Sequence, residues 1–271
     1  MPIAFLGGGN MADALIGGLL AKGIDAGSVS VIERLDAARE KLCAKYRVHA
    51  SAAADEATRA ADTLVLAVKP QDLRRAVLPF EEIVRDKLVI SIAAGVRLAD
   101  IARWLGGHRR LVRSMPNTPA LIGAGIAALC ARPEVGDEDR RRAEAILGAV
   151  GATVWVDDER LLDPVTALSG SGPAYVFWLI EQLAESGAAL GLPPETARKL
   201  ALGTVLGAAQ LAARSGEPAS VLRERVTSKG GTTEAALRVF DEEKLADRLR
   251  RALEAASRRS AELGDLLGRD T

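Results

Sequence analysis

Pro2-Ile3-Ala4-Phe5-Leu6-Gly7-Gly8-Gly9-Asn10-Met11-Ala12, running on into a helical pattern through Leu20, is the stretch on which the fold turns. A short apolar run reads as a strand, three glycines as a tight turn, and the periodic segment as a helix. Taking Gly7, Gly9 and Ala12 as the three special positions gives a dinucleotide-binding fingerprint with Ala accepted at the third. The first glycine makes the turn, the second lets a pyrophosphate approach the backbone, and the third lets helix and strand pack closely. A purely structural glycine turn is the alternative.

Working outward, Ser28-Val-Ser-Val-Ile-Glu33 is the expected second strand. It ends in an acid where a ribose contact falls: Glu33 accepts from a 2′-hydroxyl and repels a 2′-phosphate, and the adjacent Arg34 can do the opposite. Val48-His49-Ala50 reads as a third strand and Thr63-Leu-Val-Leu-Ala-Val68 as a fourth, apolar without alternation as a buried parallel strand should be. Lys69 and Pro70 follow at the strand's carboxyl end, where such sheets bind ligands, though a lysine there is equally often only solvated. Lys87–Gly95 is the fifth strand, Leu98–Leu105 a helix and Leu111–Met115 the sixth strand. Pro116 and Pro119 then fix a loop around Asn117 and Thr118. Two strand-like runs, Ala127–Ala131 and Thr153–Val156, flank a charged helix from Asp137 to Leu147 and complete the sheet.

Beyond Asp158 strand signals vanish. Ser169-Gly170-Ser171-Gly172-Pro173-Ala174 leads into a long apolar helix from Tyr175 to Leu190, and helices follow over Glu195–Ala213, Ser220–Arg225 and Thr233 to about Leu263. The expected fold is α/β: an N-terminal Rossmann-like dinucleotide-binding domain over 1–160, then an all-helical domain over 161–271.

The totals exclude several function classes. Lys plus Arg equals Asp plus Glu at 36 each, so no net basic field recruits nucleic acid or anionic lipid. Cys43 and Cys130 stand far apart with no metal-ligand spacing, which argues against a zinc site or disulfide framework. No leader or membrane-spanning run is read, so a soluble cytoplasmic protein is expected.

Thr227-Ser228-Lys229-Gly230-Gly231-Thr232-Thr233 presents backbone N–H groups and hydroxyls at the start of a helix. Such an end suits a carboxylate or phosphate. An ordinary capped helix with Thr232 or Thr233 as N-cap is the competing reading. A nucleotide sheet plus a donor-rich loop describes a two-substrate enzyme, with hydride transfer as its default reaction. Ketone reduction needs a proton donor, often histidine. The only histidines, His49 and His108, lie beside a strand start and in a Gly-Gly-His loop. The helix after Ala174 also lacks the lysine expected of a β-hydroxyacid dehydrogenase. An imine needs less help, because a hydroxyl bonded to its nitrogen suffices.

The chain resembles the Δ1-pyrroline-5-carboxylate reductases over nearly its whole length. The shared motifs are Phe5–Ala12, Ala67–Gln71, Met115–Ala120, Ser169–Tyr175 and Val226–Thr233. The resemblance implies NADPH-dependent (or NADH-dependent) reduction of 1-pyrroline-5-carboxylate to L-proline, the last step of proline biosynthesis. It further implies a homodimer built from the helical domains, with five dimers making a decamer, and no metal. Position by position, Leu6, Gly7, Gly8, Gly9, Asn10, Met11 and Ala12 match the pyrophosphate loop, with Glu33 and Arg34 at the adenosine ribose. Ala67, Val68, Lys69 and Pro70 match the strand end lining the cofactor. Ala93, Ala94 and Gly95 lie near the nicotinamide ribose, and Asn117 belongs with the cofactor residues. Ser228, Gly230, Gly231, Thr232 and Thr233 match the loop gripping the substrate carboxylate, and Thr233 matches the threonine that meets the ring nitrogen. Lys229 stands where many relatives have proline, and the family's asparagine at the adenosine ribose is replaced near Ala54. Another imine or ketone reductase, or a silent dinucleotide-binding protein, is the alternative on the same scaffold.

Overall fold

The computed structural model describes residues 1–269, which form two compact units. The first comprises Met1–Ser171 together with the chain from Ala255 onward, and the second Gly172–Glu254. The sequence placed its boundary at 160/161 and assigned the whole C-terminus to the helical part. By packing, the first unit extends through one turn of π-helix at Thr166–Gly170 and includes the distal part of the last helix.

In the first unit β1 (Ile3–Leu6), α1 (Asn10–Ala21), β2 (Val29–Ile32), α2 (Asp36–Tyr46), β3 (His49–Ser51), α3 (Glu56–Ala60), β4 (Thr63–Leu66), α4 (Pro70–Val77), β5 (Leu88–Ser91), α5 (Leu98–Trp104) and β6 (Leu111–Met115) alternate as expected. β7 (Gly125–Ala131), α6 (Asp137–Leu147), β8 (Gly151–Trp155) and the short α7 (Leu162–Val165) complete it. The sheet runs β3-β2-β1-β4-β5-β6-β7-β8, with every pair parallel except β6 with β7. Order reverses between β1 and β4, so the ligand crevice lies at their carboxyl ends.

Strand alternation explains the layering. Ile3 and Phe5 face one apolar layer with Leu15, Ile16 and Leu19 of α1, while Ala4 and Leu6 face another with Leu66, Leu73 and Ile101. Burial on both faces is why these strands read as unbroken apolar runs. Each fully buried leucine or isoleucine contributes about 1.5–3 kcal/mol by its removal from water. The spacing of Ala12, Leu15, Ile16 and Leu19 turns one stripe of α1 to the sheet.

The second unit contains α8 (Gly172–Ala189), α9 (Pro194–Ser215), α10 (Ala219–Arg225), α11 (Thr232–Glu242) and the start of α12 (Leu245–Leu267). A single helix from Thr233 to about Leu263 was expected. The chain breaks at Lys244, which adopts φ +53 and so leaves helical geometry, and the Arg248 guanidinium donates to the Glu243 carbonyl across the break. No glycine or proline marks this point, which is why the charged run read as continuous helix.

The distal part of α12 packs within the first unit. Ser260 and Gly264 are buried, Ser260 Oγ donates to Asp163 Oδ1 at 2.6 Å, and Arg97 pairs with Asp265 at 2.7 Å. No helix among the described residues is long and apolar enough to cross a membrane.

Candidate functional site

The glycine turn after β1 lies where the sheet requires it. Gly7 donates to the Ile32 carbonyl at 2.8 Å, and Ala67 donates to the Leu6 carbonyl at 2.8 Å, so the ends of β2 and β4 close on the turn. Gly7 has φ +103, and a methyl group there would stand 2.7 Å from the Ala67 carbonyl oxygen. A methyl group on Gly9 would meet nothing within 4 Å. Gly7 is therefore required by the fold itself, whereas Gly9 leaves open space above the backbone.

Gly9 is also the N-cap of α1, and no side chain caps that helix. The amides of its first turn, starting at Asn10 and Met11, have no helical acceptor, an arrangement that suits an anion. Ala12 is buried against the sheet, serving the close packing expected of the third fingerprint position.

A cleft of about 1010 Å³ opens beside this turn. Leu6, Gly7, Gly9, Glu33, Arg34, Ala67, Val68 and Lys69 line it together with Ala54 and Arg59. Glu33 is anchored: one carboxylate oxygen accepts from Gly8 N–H and the other from Leu35 N–H, each at 2.9 Å. Among the described residues the side chains of Arg34, Arg59 and Lys69 have no partner, while Arg75 pairs with Asp72. The cleft thus combines one fixed carboxylate with two free guanidinium groups. Arg59 carries no motif and was not anticipated from sequence. Lys69 is exposed at the N-cap of α4 and Pro70 opens that helix, so both lie on the crevice edge as placed.

Behind the cleft floor, Asp55 caps α3 through the Thr58 amide at 3.0 Å and pairs with His49 at 2.6 Å. Partial burial acts to raise its pKa, but the bonds from His49 and Thr58 prevail and hold it at about 2. His108 is buried, with its ring bonded to the Arg110 carbonyl, and burial pushes its pKa down. Neither histidine lines the cleft.

The expected nicotinamide-side segment, Ala93, Ala94 and Gly95, follows β5 on the same edge. Gly95 turns at φ +79 against Leu263, Gly264 and Leu267 of α12. A methyl group on Gly264 would come within 2.9 Å of the Gly95 carbonyl oxygen, so the last helix backs this turn directly. No local pattern announces that support.

Asn117 was expected among the cofactor residues. It is buried, its Oδ1 accepting from Ile126 N–H at 3.0 Å and its Nδ2 donating to the Ser169 carbonyl and hydroxyl oxygens at 3.3 and 3.4 Å. Its carboxamide therefore ties the β6–β7 loop to the π-helical turn, with its polar atoms spent on protein. Gly170 makes the same contact possible, since a methyl group there would strike the Met115 side chain.

In the second unit the loop before α11 forms a defined turn. Gly231 N–H donates to the Ser228 carbonyl at 3.0 Å and Gly230 sits at φ +74. Lys229 keeps a negative φ, so Gly230 takes the third position of a type II pattern. Lys229 thereby occupies the second position, the one that favours proline. Gly231, rather than either threonine, is the N-cap of α11, and no side chain caps the helix. Thr227 spends its hydroxyl on the Arg223 carbonyl at 2.6 Å. The hydroxyls of Ser228, Thr232 and Thr233 have no partner among the described residues. The amides of Thr232 and Thr233 begin the helix without a helical acceptor. No group of His, Cys, Asp or Glu among the described residues has the geometry to hold a metal ion.

Comparison with known proteins finds two family matches in the chain. Residues 159–263 match the family described as pyrroline-5-carboxylate reductase dimerisation, and residues 2–95 match the one described as NADP oxidoreductase coenzyme F420-dependent. The chain is 43% identical to a pyrroline-5-carboxylate reductase of Pseudomonas aeruginosa over 267 residues, covering 98% of each. Among solved structures it is similar to a pyrroline-5-carboxylate reductase from Coxiella burnetii, with 41% identity, TM-score 0.92, and 96% and 97% of the two chains covered. It is also similar to the Plasmodium falciparum pyrroline carboxylate reductase with NADP bound, with 27% identity, TM-score 0.84, and 97% and 98% covered.

Proposed function

Since the chain belongs to the pyrroline-5-carboxylate reductase family, we propose that its two uncapped helix starts divide the work of that reaction. The protein is an oxidoreductase that reduces 1-pyrroline-5-carboxylate to L-proline with a nicotinamide dinucleotide. The observation carrying the assignment of roles is that each unit holds one such start. Gly9 before α1 and Gly231 before α11 each leave first-turn amides without a side-chain cap. The first fits a pyrophosphate, in the open space above Gly9, and the second fits a carboxylate.

The crevice beside Gly7 and Gly9 would hold a reduced nicotinamide dinucleotide, which would supply the hydride that the imine carbon needs. The remaining work falls to side chains and amides of this chain. The amides of Thr232 and Thr233, with the Ser228 hydroxyl, hold the substrate carboxylate. Ser228, Gly230 and Gly231 shape the turn that aims them. The Thr233 hydroxyl hydrogen-bonds the ring nitrogen and relays the proton that completes the amine. Leu6 to Ala12, Glu33, Arg34, Ala67 to Pro70 and Ala93 to Gly95 form the coenzyme wall, and Asn117 supports it from behind.

Purified protein with NADPH and the imine, followed at the nicotinamide absorbance, tests this reading. Turnover of the imine is expected. Turnover with other carbonyls only, or coenzyme binding without turnover, overturns it.

For the coenzyme, the reading is that NADPH is preferred and NADH accepted. Arg34 and Arg59, free in the cleft, favour a 2′-phosphate, while the anchored Glu33 carboxylate opposes it. Glu33→Ser is then expected to raise the NADPH-to-NADH ratio of kcat/KM by about tenfold, the effect of removing one like charge worth about 1.4 kcal/mol. An unchanged ratio removes Glu33 from selection.

The protein forms oligomers through its dimerisation segment, and residues 161–271 are proposed as the substrate-binding and dimerising part. α8 exposes Phe177 at 66% and Trp178 at 58%, and α9 exposes Leu202, Leu206 and Leu211, more apolar surface than a monomer leaves in water. Five dimers in a cytoplasmic decamer is the proposed assembly. Light scattering should give ten times the chain mass of 28.5 kDa. A dimer mass overturns the decamer.

A further inference from the structure

We propose that Glu234 is a positioning residue: its carboxylate holds the Gly230 amide and so fixes which main-chain donors of the loop face a substrate carboxylate. This rests on the substrate reading given above. Glu234 is the third residue of α11, and its Oε2 accepts from Gly230 N–H at 2.6 Å.

A glutamate at the third helical position ordinarily reaches back to the N-cap amide. Here that amide belongs to Gly231 and is already closed on the Ser228 carbonyl at 3.0 Å. Glu234 therefore reaches one residue further, to Gly230. Two amides of the turn are thereby spent within the protein, Gly230 on Glu234 and Gly231 on Ser228, and the amides of Thr232 and Thr233 stay without a helical acceptor.

The arrangement answers a mechanical need. Gly230 sits at φ +74 and a methyl group on it would meet nothing within 4 Å, so side-chain packing does not hold the turn. Lys229 and Gly230 are exposed, and Lys229 lacks the ring that would stiffen the second turn position. The carboxylate of Glu234 is the one side chain bonded to the turn's backbone among the described residues. Its charge also lies near the incoming anion, and that repulsion works against binding. The bond and the charge can be separated by substitution: Gln keeps an acceptor oxygen and drops the charge, whereas Ala loses both.

The experiment compares wild type, Glu234→Ala and Glu234→Gln. With Ala, KM for the imine is expected to rise about tenfold, as for one lost ordering hydrogen bond, with kcat and coenzyme KM within about twofold. Gln is expected to restore KM to wild type or below. Hydrogen exchange at the Gly230 amide gives a readout independent of turnover, faster in Ala than in wild type or Gln. An unchanged or lowered KM in Ala, or Gly230 exchange equal in all three proteins, overturns the proposal. Failure of the wild type to reduce the imine would instead overturn the substrate reading, so the two failures are distinct.

Discussion

Gly7→Val is expected to lose both coenzyme binding and part of the protein's stability, whereas Gly9→Val loses coenzyme binding alone. At Gly7 the backbone adopts φ +103, a region that costs a branched residue about 1–3 kcal/mol. The new Cβ would also lie 2.7 Å from the Ala67 carbonyl oxygen and 2.9 Å from Val68 Cγ1, at the end of β4. The turn must lift from the sheet, and the start of α1 lifts with it. At Gly9 nothing stands within 4 Å of an added Cβ, so the protein without coenzyme accepts a side chain there. On the proposed reading, that side chain takes the space of the pyrophosphate. Titration of intrinsic fluorescence with NADPH should show affinity reduced about a hundredfold in both variants, a change of about 2.7 kcal/mol. Thermal unfolding should move in Gly7→Val only. Wild-type affinity in Gly9→Val would mean that the pyrophosphate binds elsewhere.

Thr233→Val is expected to lower kcat about a hundredfold, within the range attributed to a positioned proton-transfer group. The substitution keeps the side chain's shape and its β-branching, so α11 is preserved. Thr233 is half-buried at the second position of the helix, and its hydroxyl has no protein partner among the described residues. A hydroxyl left unpaired in this position is available to a ligand atom. KM for the coenzyme should stay unchanged, and Thr233→Ser should recover most of kcat. A kcat for the valine variant within about twofold of wild type would leave Thr233 outside the chemistry.

Much of the fold could be read from residue order, because its signals are local. Buried parallel strands such as Thr63–Leu66 show as apolar runs, and a glycine turn opening a helix carries its own pattern. What escaped depends on partners distant in the chain. Asn117 was legible as a residue held in a rigid loop, but its partner Ser169 lies 52 residues away and no local pattern joins them. The reversal of β7 is decided by pairing with β6. The bend at Lys244 has neither glycine nor proline to announce it, only a backbone angle of +53°.

The loop before α11 shows the same limit at closer range. Its donor-rich character was plain, yet the assignment of N–H groups to Glu234 and to Ser228 needed coordinates. A signal for Glu234 was present: an acid three residues after the N-cap is a recognised helix-start pattern. The reading of Thr232 or Thr233 as the cap placed the helix start one or two residues late and hid it. Arg59 lacked any such signal, being brought to the cleft by α3 alone.

The seat of Gly264 beneath Gly95 bears on how this protein can be recombined. A chimera made by joining the front half of one relative to the rear half of another, cut where the strands stop, would inherit a foreign tail under its nucleotide floor. Residues 255–269 belong by packing to the front half. They must be exchanged together with that half, although the ribosome makes them at the other end of the polypeptide.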